Sequence, residues 1–174
     1  HLGVCLDACH AAVEFEDPQR AVHSLRDAGI RILKLQISAG LRVANPDAET
    51  RRALGRFADG VYLHQVVIRR AGQLIRIVDL PDALALPTHT TTDEEWRIHF
   101  HVPLFRADLG PFHNTQPFLQ SLLALQAREP FTRHLEVETY TWDVLPAEFR
   151  QEPVVDAIAR ELSWVRSTLA KAVS

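Results

Sequence analysis

Short apolar runs alternate with amphipathic segments along most of the chain. Runs of valine, isoleucine and leucine bounded by turn residues are typical of buried strands. Such runs predict strands at residues 3–7, 30–38, 96–105 and 133–142. The intervening segments place apolar residues at helical spacing. They predict helices at residues 17–29, 45–60, 115–129 and 153–172. Strands that alternate with helices in this way are typical of a parallel sheet covered by its crossover helices.

Cap and turn residues support the first two of these helices. Asp17 and Pro18 suit the N-cap and the first helical position, and Gly29 suits the residue after the last turn. The second helix is entered through Pro46 and is expected to end at Gly60. The alternation of strand and helix is therefore supported by local chemistry as well as by hydrophobic spacing.

One segment departs from the alternation. Residues 61–69 and 74–80 resemble strands and face each other across the sequence RAGQ, which predicts a β-hairpin. His64 and Gln65 fall within it, where a solvated or packing role is expected. We interpret the hairpin as an insertion into the β/α pattern.

Two architectures fit about four β/α units with an inserted hairpin. One is an open doubly wound sheet, and the other is part of a (β/α)8 barrel, the TIM barrel. Four strands are about half of the eight that barrel closure requires. Because no low-complexity linker divides the chain, residues 1–174 are expected to form a single domain.

Composition narrows the classes of function. The chain has 174 residues, of which 47% are hydrophobic, so it can build a core. A net charge of −3 with interspersed signs provides no electrostatic footprint for nucleic acid. No apolar stretch approaches the ~20 residues of a membrane span, and no signal peptide precedes the first strand, so we expect a cytoplasmic protein.

The cysteines and the start of the chain carry two further expectations. Cys5 and Cys9 are expected to be reduced thiols, because C-x3-C is not a usual zinc or redox spacing. The chain contains no methionine and starts close to a predicted strand. We therefore expect a processed or partial chain.

Polar side chains occur towards the end of each predicted parallel strand. In parallel β/α folds, the carboxyl ends of the strands carry the ligand sites. The groups in these positions are Asp7 and His10, Lys34 and Gln36, His99 and His101, and Glu136 and Glu138. Buried strands avoid such groups because burying an unpaired charge is costly. Carboxylate oxygens and imidazole nitrogens suit a divalent ion such as manganese, zinc or iron.

Each of these groups also has a purely structural interpretation. Asp7 could cap the following turn, His10 could be a loop histidine with satisfied hydrogen bonds, and the histidines of HFH could face water in an edge strand. Lys34 is either a catalytic cation or a counter-ion to the carboxylates. Their joint occurrence at strand ends favours a site.

The stretch GVCLDACH, residues 3–10, resembles the D-x-x-H strand end of the xylose-isomerase-like barrel superfamily. This superfamily includes sugar epimerases, hydroxypyruvate isomerase and endonuclease IV. HFH and LEVET are similar to its histidine-bearing seventh strand region and its glutamate-bearing eighth strand. A longer series, CLDACHAAVEFEDP, KLQISAGL, YLHQVV, WRIHFHVPLF and HLEVETYTWDVLP, resembles the EboE-type metabolite traffic proteins, a branch of that superfamily. The resemblance implies the C-terminal half of a xylose-isomerase-like TIM barrel.

The resemblance also implies a set of metal ligands. Asp7 corresponds to a metal ligand, and His10 to a metal or substrate contact. His101, with His99 as the substitute, corresponds to the imidazole ligand, and Glu138 to the carboxylate of the last strand. Relatives carry a further glutamate on an earlier strand that is not in this chain. A divalent ion, Mn, Zn, Mg or Fe, is therefore expected to be weakly held.

Catalytic and substrate-binding roles follow from the same resemblance. Glu138 is expected to move a proton, His10 to steady a substrate hydroxyl, and Lys34 to serve as a catalytic cation. The residues expected to contact substrate are Gln36, Glu136, Tyr140 and Trp142. Tyr140 and Trp142 would act as an aromatic wall, although packing is the more ordinary role for a tryptophan.

The leading functional hypothesis is a metal-dependent isomerase or epimerase acting on a sugar, polyol or related small metabolite. A non-catalytic metabolite-binding or trafficking protein is the alternative, favoured by Lys34 and Gln36 where relatives often carry a histidine. An endonuclease IV-like phosphoesterase is disfavoured because the chain lacks a basic groove. A half barrel exposes strand edges, so the expected partners, besides the substrate, are the missing N-terminal half or a second copy of the chain.

Overall fold

The computed structural model describes residues 2–88, 93–139 and 141–173. Within these ranges the strands are β1 (Val4–Asp7), β2 (Ile32–Ile37), β3 (Gly40–Ala44), β4 (Val66–Arg70), β5 (Gln73–Ile77), β6 (Glu94–His101), β7 (Asp108–Leu109), β8 (Phe112–Asn114) and β9 (Leu135–Val137). The α-helices are α1 (Ala8–Val13), α2 (Pro18–Asp27), α3 (Ala48–Leu54), α4 (Leu80–Ala85), α5 (Gln116–Arg128) and α6 (Val154–Val173). Two short 3₁₀ helices cover Gly55–Phe57 and Ala147–Phe149.

A three-stranded parallel sheet has the order β1-β2-β9. In its register Asp7 lies opposite Gln36, and Gln36 lies opposite Glu136. One face of this sheet packs against α2, α5 and α6 through a core cluster that includes Leu35, Ile37 and Val165. The predicted β/α pattern is thus present for the first two apolar runs and for the last.

Helices α2, α5 and α6 occupy three of the predicted helical segments. Asp17 caps α2 by accepting a hydrogen bond from the Arg20 backbone N–H at 2.8 Å, with Pro18 at the first helical position. The helix predicted at 45–60 is shorter, since α3 gives way to the 3₁₀ helix Gly55–Phe57. None of the helices in the described ranges has the length and apolar character that crossing a membrane requires.

The second sheet is mainly antiparallel and has the order β5-β4-β6-β3-β8-β7. The predicted hairpin is present as β4 and β5, joined by Ala71 and Gly72, but its strands are shorter than predicted: residues 61–65 precede β4 and residues 78–80 follow β5. Both turn residues have positive φ, 47° and 77°, as a two-residue hairpin turn requires. The buried face of β6 carries Trp96, Ile98 and Phe100, which form the centre of this sheet's core.

The prediction of a xylose-isomerase-like TIM barrel is wrong. The run at 96–105 forms β6, which pairs antiparallel with β3 and β4 instead of joining the parallel sheet. The chain leaves β2 through Ser38 and Ala39 and enters β3 directly, without a crossover helix. The described strands therefore form two separate sheets, neither of which closes into a barrel. The doubly wound alternative fails for the same reason.

Helix α1 lies against the polar face of β6 and positions the residues at the end of β1. The Arg97 guanidinium donates to the Ala12 carbonyl at 2.6 Å and stacks over the Phe15 ring. Glu95, with a side chain only 10% exposed, pairs with Arg97 at 2.7 Å and with Arg42 at 3.0 Å. This ionic cluster ties α1 to both β6 and β3.

Close backbone packing also positions α1. A Cβ atom on Gly40 would lie 2.9 Å from the Ile98 carbonyl oxygen and 3.0 Å from Cys9 Sγ. Gly40→Ala is therefore expected to lower the free energy of unfolding by about 1–3 kcal/mol through overpacking. Gly60→Ala is the matched control because a Cβ there meets nothing within 4 Å. Urea unfolding measures both, and equal stabilities would contradict the packing account.

The ionic cluster predicts a pH-dependent contribution to stability. Burial raises the pKa of Glu95, but hydrogen bonds from Arg42 and Arg97 outweigh burial and hold the pKa below its usual value. The ionised carboxylate therefore stabilises the fold above the unfolded-state pKa, about 4.3, and this contribution is lost as the pH falls through the lower folded-state pKa.

Glu95→Gln is accordingly expected to cost about 3 kcal/mol at pH 7, because it leaves the partly buried Arg42 and Arg97 without their anion. The difference from the native protein should shrink as the pH falls through the lowered folded-state pKa of Glu95, because protonation then makes both side chains neutral. Glu16→Gln, at an exposed position, is the control. A penalty for Glu95→Gln that does not change with pH would rule out this charge effect.

Candidate metal site

Three side chains from different strands converge where the two sheets meet. Asp7 ends β1, Glu138 follows β9, and His101 ends β6 of the other sheet. One potential ligand atom from each lies within 4.8 Å of the others, and the distance from His101 Nδ1 to Glu138 Oε2 is 3.6 Å. We call Asp7, His101 and Glu138 the carboxylate triad.

Backbone contacts bring the end of β6 to the parallel sheet. The Val102 N–H donates to the Ala39 carbonyl at 3.0 Å, just beyond the end of β2. The Thr141 hydroxyl donates to the His101 carbonyl at 2.6 Å, close after β9. His101 thus reaches the parallel strand ends although its own strand belongs to the antiparallel sheet.

The two carboxylate oxygens of Asp7 have different surroundings. Oδ1 accepts hydrogen bonds from the Cys9 N–H at 2.8 Å, the His10 N–H at 3.1 Å and the Ser38 hydroxyl at 3.0 Å. Oδ2 accepts from Gln36 Nε2 at 3.1 Å. The first oxygen caps α1, and the second faces the carboxylate triad. The capping interpretation and the ligand interpretation therefore apply to different atoms of one side chain.

Gln36 bridges the two carboxylates of the triad. Its Nε2 group donates both to Asp7 Oδ2 and to Glu138 Oε2. Burial raises the pKa of Glu138; the hydrogen bond from Gln36 opposes this shift, and the charge of Asp7 adds to it. Two carboxylates that face one donor mark a position where positive charge is favourable.

His99 and His101 are uncharged at neutral pH. Burial, together with neighbouring histidines, lowers the pKa of His101 to about 3 and that of His99 to about 4. A neutral imidazole has the lone pair that a metal ion requires. The His99 and His101 ring centroids are 5.3 Å apart, and the exposed His10 lies 4.1 Å from His99 on the solvent side. The three rings form a row that leads from solvent to the triad.

The remaining sequence-predicted residues lie around this centre. Lys34 Nζ is 3.1 Å from Glu136 Oε1, and this hydrogen bond raises the lysine pKa. Lys34 is thus a counter-ion to the Glu136 carboxylate, which is one of the two roles considered for it from the sequence. Glu136 is 60% exposed, on the same sheet face as Gln36.

The aromatic wall predicted beside the site consists of Tyr140 and Trp142. Trp142 is 9% exposed, packs in the core of the antiparallel sheet and lines a small cavity together with His101 and Glu138. Tyr140 lies outside the described residues.

His64 is buried, with Nε2 2.6 Å from Asp59 Oδ2 and Nδ1 3.1 Å from the His99 carbonyl oxygen, so it packs under the strand that carries His99.

Sequence reasoning missed two groups close to the triad, Cys9 and Glu161. Glu161 on α6 is 2% exposed and accepts hydrogen bonds from the Leu104 N–H at 3.1 Å and the Thr139 hydroxyl at 2.7 Å. Burial raises its pKa, and it lines a small cavity shared with His101 and Glu138. The sequence did contain a sign that Glu161 is buried. It lies four positions from both Ala157 and Val165 and therefore occupies the apolar stripe of α6.

A larger cleft, about 1050 Å³, lies at the opposite, amino-terminal end of the parallel strands. Its lining includes Arg26, Arg31, Arg133 and Glu129, and none of the described lining residues belongs to the triad. Arg26 is already paired with Glu129 at 3.2 Å. The candidate metal ligands therefore lie apart from this cleft.

Comparison with known proteins adds no relative to this description. No family model, no curated protein and no solved structure matches the chain. The resemblance to EboE-type proteins therefore rests on the motifs in the sequence alone.

The divided role of Asp7 predicts how two substitutions differ in stability. Asp7→Ala removes the oxygen that caps α1 and is expected to lower the free energy of unfolding by about 1 kcal/mol. Asp7→Asn keeps a capping oxygen while removing the charge, so its stability should remain within about 0.5 kcal/mol of the native protein. Chemical denaturation compares the two, and an equal loss in both would show that the charge, not the cap, matters for folding.

Proposed function

We propose that Asp7, His101 and Glu138 bind a divalent metal ion, and that the protein is a metal-dependent isomerase or epimerase of small hydroxycarbonyl metabolites such as sugars. The observation that carries the proposal is the convergence of two carboxylates and one imidazole, from three strands, within 4.8 Å. Two carboxylates balance the charge of a dication, and neutral His101 adds a nitrogen donor. Oxygen-rich sets of this kind suit Mn²⁺, Mg²⁺, Fe²⁺ or Zn²⁺.

The surrounding residues suit a polar substrate. A divalent ion bound here would polarise a substrate carbonyl and acidify the adjacent C–H group. Glu138 is about one-third exposed and has a raised pKa, so it can accept and return a proton at the edge of the site. His10 is exposed at the outer end of the imidazole row, which would allow it to hydrogen-bond a substrate hydroxyl.

The paired Lys34 and Glu136 supply a further donor and acceptor on the same sheet face. Because its pKa is raised, Lys34 remains protonated and serves as a positioning cation instead of a base. Proton transfer then depends on Glu138, which is also a proposed ligand. Glu138 would therefore have to bind the metal ion and transfer the proton. This observation favours the second candidate, a protein that binds a metabolite without converting it.

Metal binding is tested by titrating the purified protein with Mn²⁺ and Zn²⁺ by calorimetry. Asp7→Asn and Glu138→Gln are expected to weaken binding by at least about 100-fold, because loss of residues that only support a metal costs about 10–100-fold. Glu136→Gln is the control, since this residue shares the sheet face but lies outside the triad. Unchanged Mn²⁺ affinity in both triad variants would refute the proposed ligand set.

Turnover is tested separately from binding. The Mn²⁺-loaded protein is incubated in deuterated water with a panel of aldoses and ketoses, and deuterium incorporation is followed by NMR and mass spectrometry. An isomerase that abstracts a proton next to the carbonyl should label that carbon, and Glu138→Gln should abolish the labelling. Metal binding without labelling of any panel member would contradict the enzymatic proposal for these sugars.

A further inference from the structure

A second group of ligand-type side chains lies beside the carboxylate triad. Cys9 on α1 and His99 and His101 on β6 each place one potential ligand atom within 4.8 Å of the others. We call these residues the thiol set. The alternation of side chains along β6 directs His99 and His101 to the same face, and α1 lies against that face.

The position of Cys9 is tightly constrained by the fold. It is fully buried and packs with Val13 and Val67. Its N–H donates to Asp7 Oδ1 at 2.8 Å and to Ser38 Oγ at 3.2 Å. Gly40, where an added Cβ would come within 3.0 Å of Cys9 Sγ, leaves room for the sulfur. The thiol is therefore held in place before any ligand arrives.

The chemistry of this group differs from that of the triad. One sulfur and two imidazole nitrogens form a soft to borderline donor set, which favours zinc, cadmium or copper over magnesium or manganese. The triad supplies two oxygens and one nitrogen and favours harder ions. Only His101 is common to the two groups, so each retains two ligands of its own.

We propose that Cys9, His99 and His101 form a second metal site, selective for thiophilic ions and sharing His101 with the carboxylate triad. On binding, a sulfur–metal bond forms, the S–H bond breaks and the proton passes to solvent. His99 is only partly buried, and the exposed His10 ring lies beside it, so rotation of His10 gives an ion a path from solvent. Neither Asp7 nor Glu138 is a ligand of this site, so the proposal does not rest on the proposed function.

Cobalt titration of the reduced protein gives a direct readout. Thiolate ligation of Co²⁺ produces an intense charge-transfer band in the near ultraviolet, whereas oxygen and nitrogen ligands alone do not. The native protein should develop this band and saturate at one equivalent of Co²⁺, and Zn²⁺ should displace it. No band in the native protein would overturn the proposal.

The chain offers a matched control because Cys5 and Cys9 are its only cysteines. Cys5 is exposed on β1, so Cys5→Ser should retain the band while Cys9→Ser should lose it. Glu138→Gln should also retain the band while losing Mn²⁺ affinity, which separates this proposal from the proposed function. A band that disappears with Cys5 instead of Cys9 would refute the assignment.

X-ray absorption of the zinc-loaded native protein provides a test without any variant. One sulfur at about 2.3 Å and imidazole nitrogens at about 2.0–2.1 Å are expected in the first coordination shell. This measurement keeps the proposal falsifiable if Cys9→Ser does not fold. A shell of nitrogen and oxygen alone would exclude Cys9 as a ligand.

Discussion

The carboxylate of Asp7 is the interaction on which the arrangement of this site depends. Its Oδ1 accepts three hydrogen bonds and thereby turns the chain from β1 into α1 while tying that turn to Ser38 after β2. The turn determines where Cys9 and His10 lie relative to β6. Its Oδ2 remains directed at the converging side chains. A single side chain thus builds the local fold and takes part in the candidate chemistry.

Protonation states explain how so many polar groups can share this position. Burying this many ionised groups together would be costly, because each charge would lose its hydration. Burial instead keeps His99 and His101 neutral and keeps Cys9 in its thiol form, because it lowers the imidazole pKa values and raises the thiol pKa. Gln36 then supplies donors to both carboxylates without adding charge. The cluster is therefore compatible with burial in the absence of a metal ion, yet its oxygen, nitrogen and sulfur atoms are those that metal ions bind.

The junction of the two sheets brings the side chains at several strand ends together, as the mouth of a barrel would otherwise do. In a barrel, neighbouring parallel strands bring their carboxyl ends together around one axis. Here β1 and β9 contribute from the parallel sheet, and β6 contributes His101 because its end is bonded to Ala39 beside β2. The convergence of strand ends therefore does not require barrel closure. It requires only that two sheets meet at their ends.

Local sequence determined much of this protein. The cap at Asp17, the hairpin turn within RAGQ, the helical stripes of α5 and α6 and the polar groups at strand ends are set by residues close to one another in the chain. Hydrophobic spacing and turn chemistry were therefore sufficient to predict them. Only the tertiary structure decided that β6 pairs antiparallel, that β3 follows β2 directly, and that Cys9 and Glu161 join the site. Strand partners and buried neighbours depend on residues far apart in the sequence, and an apolar run such as 96–105 has the same local pattern whether its partners are parallel or antiparallel.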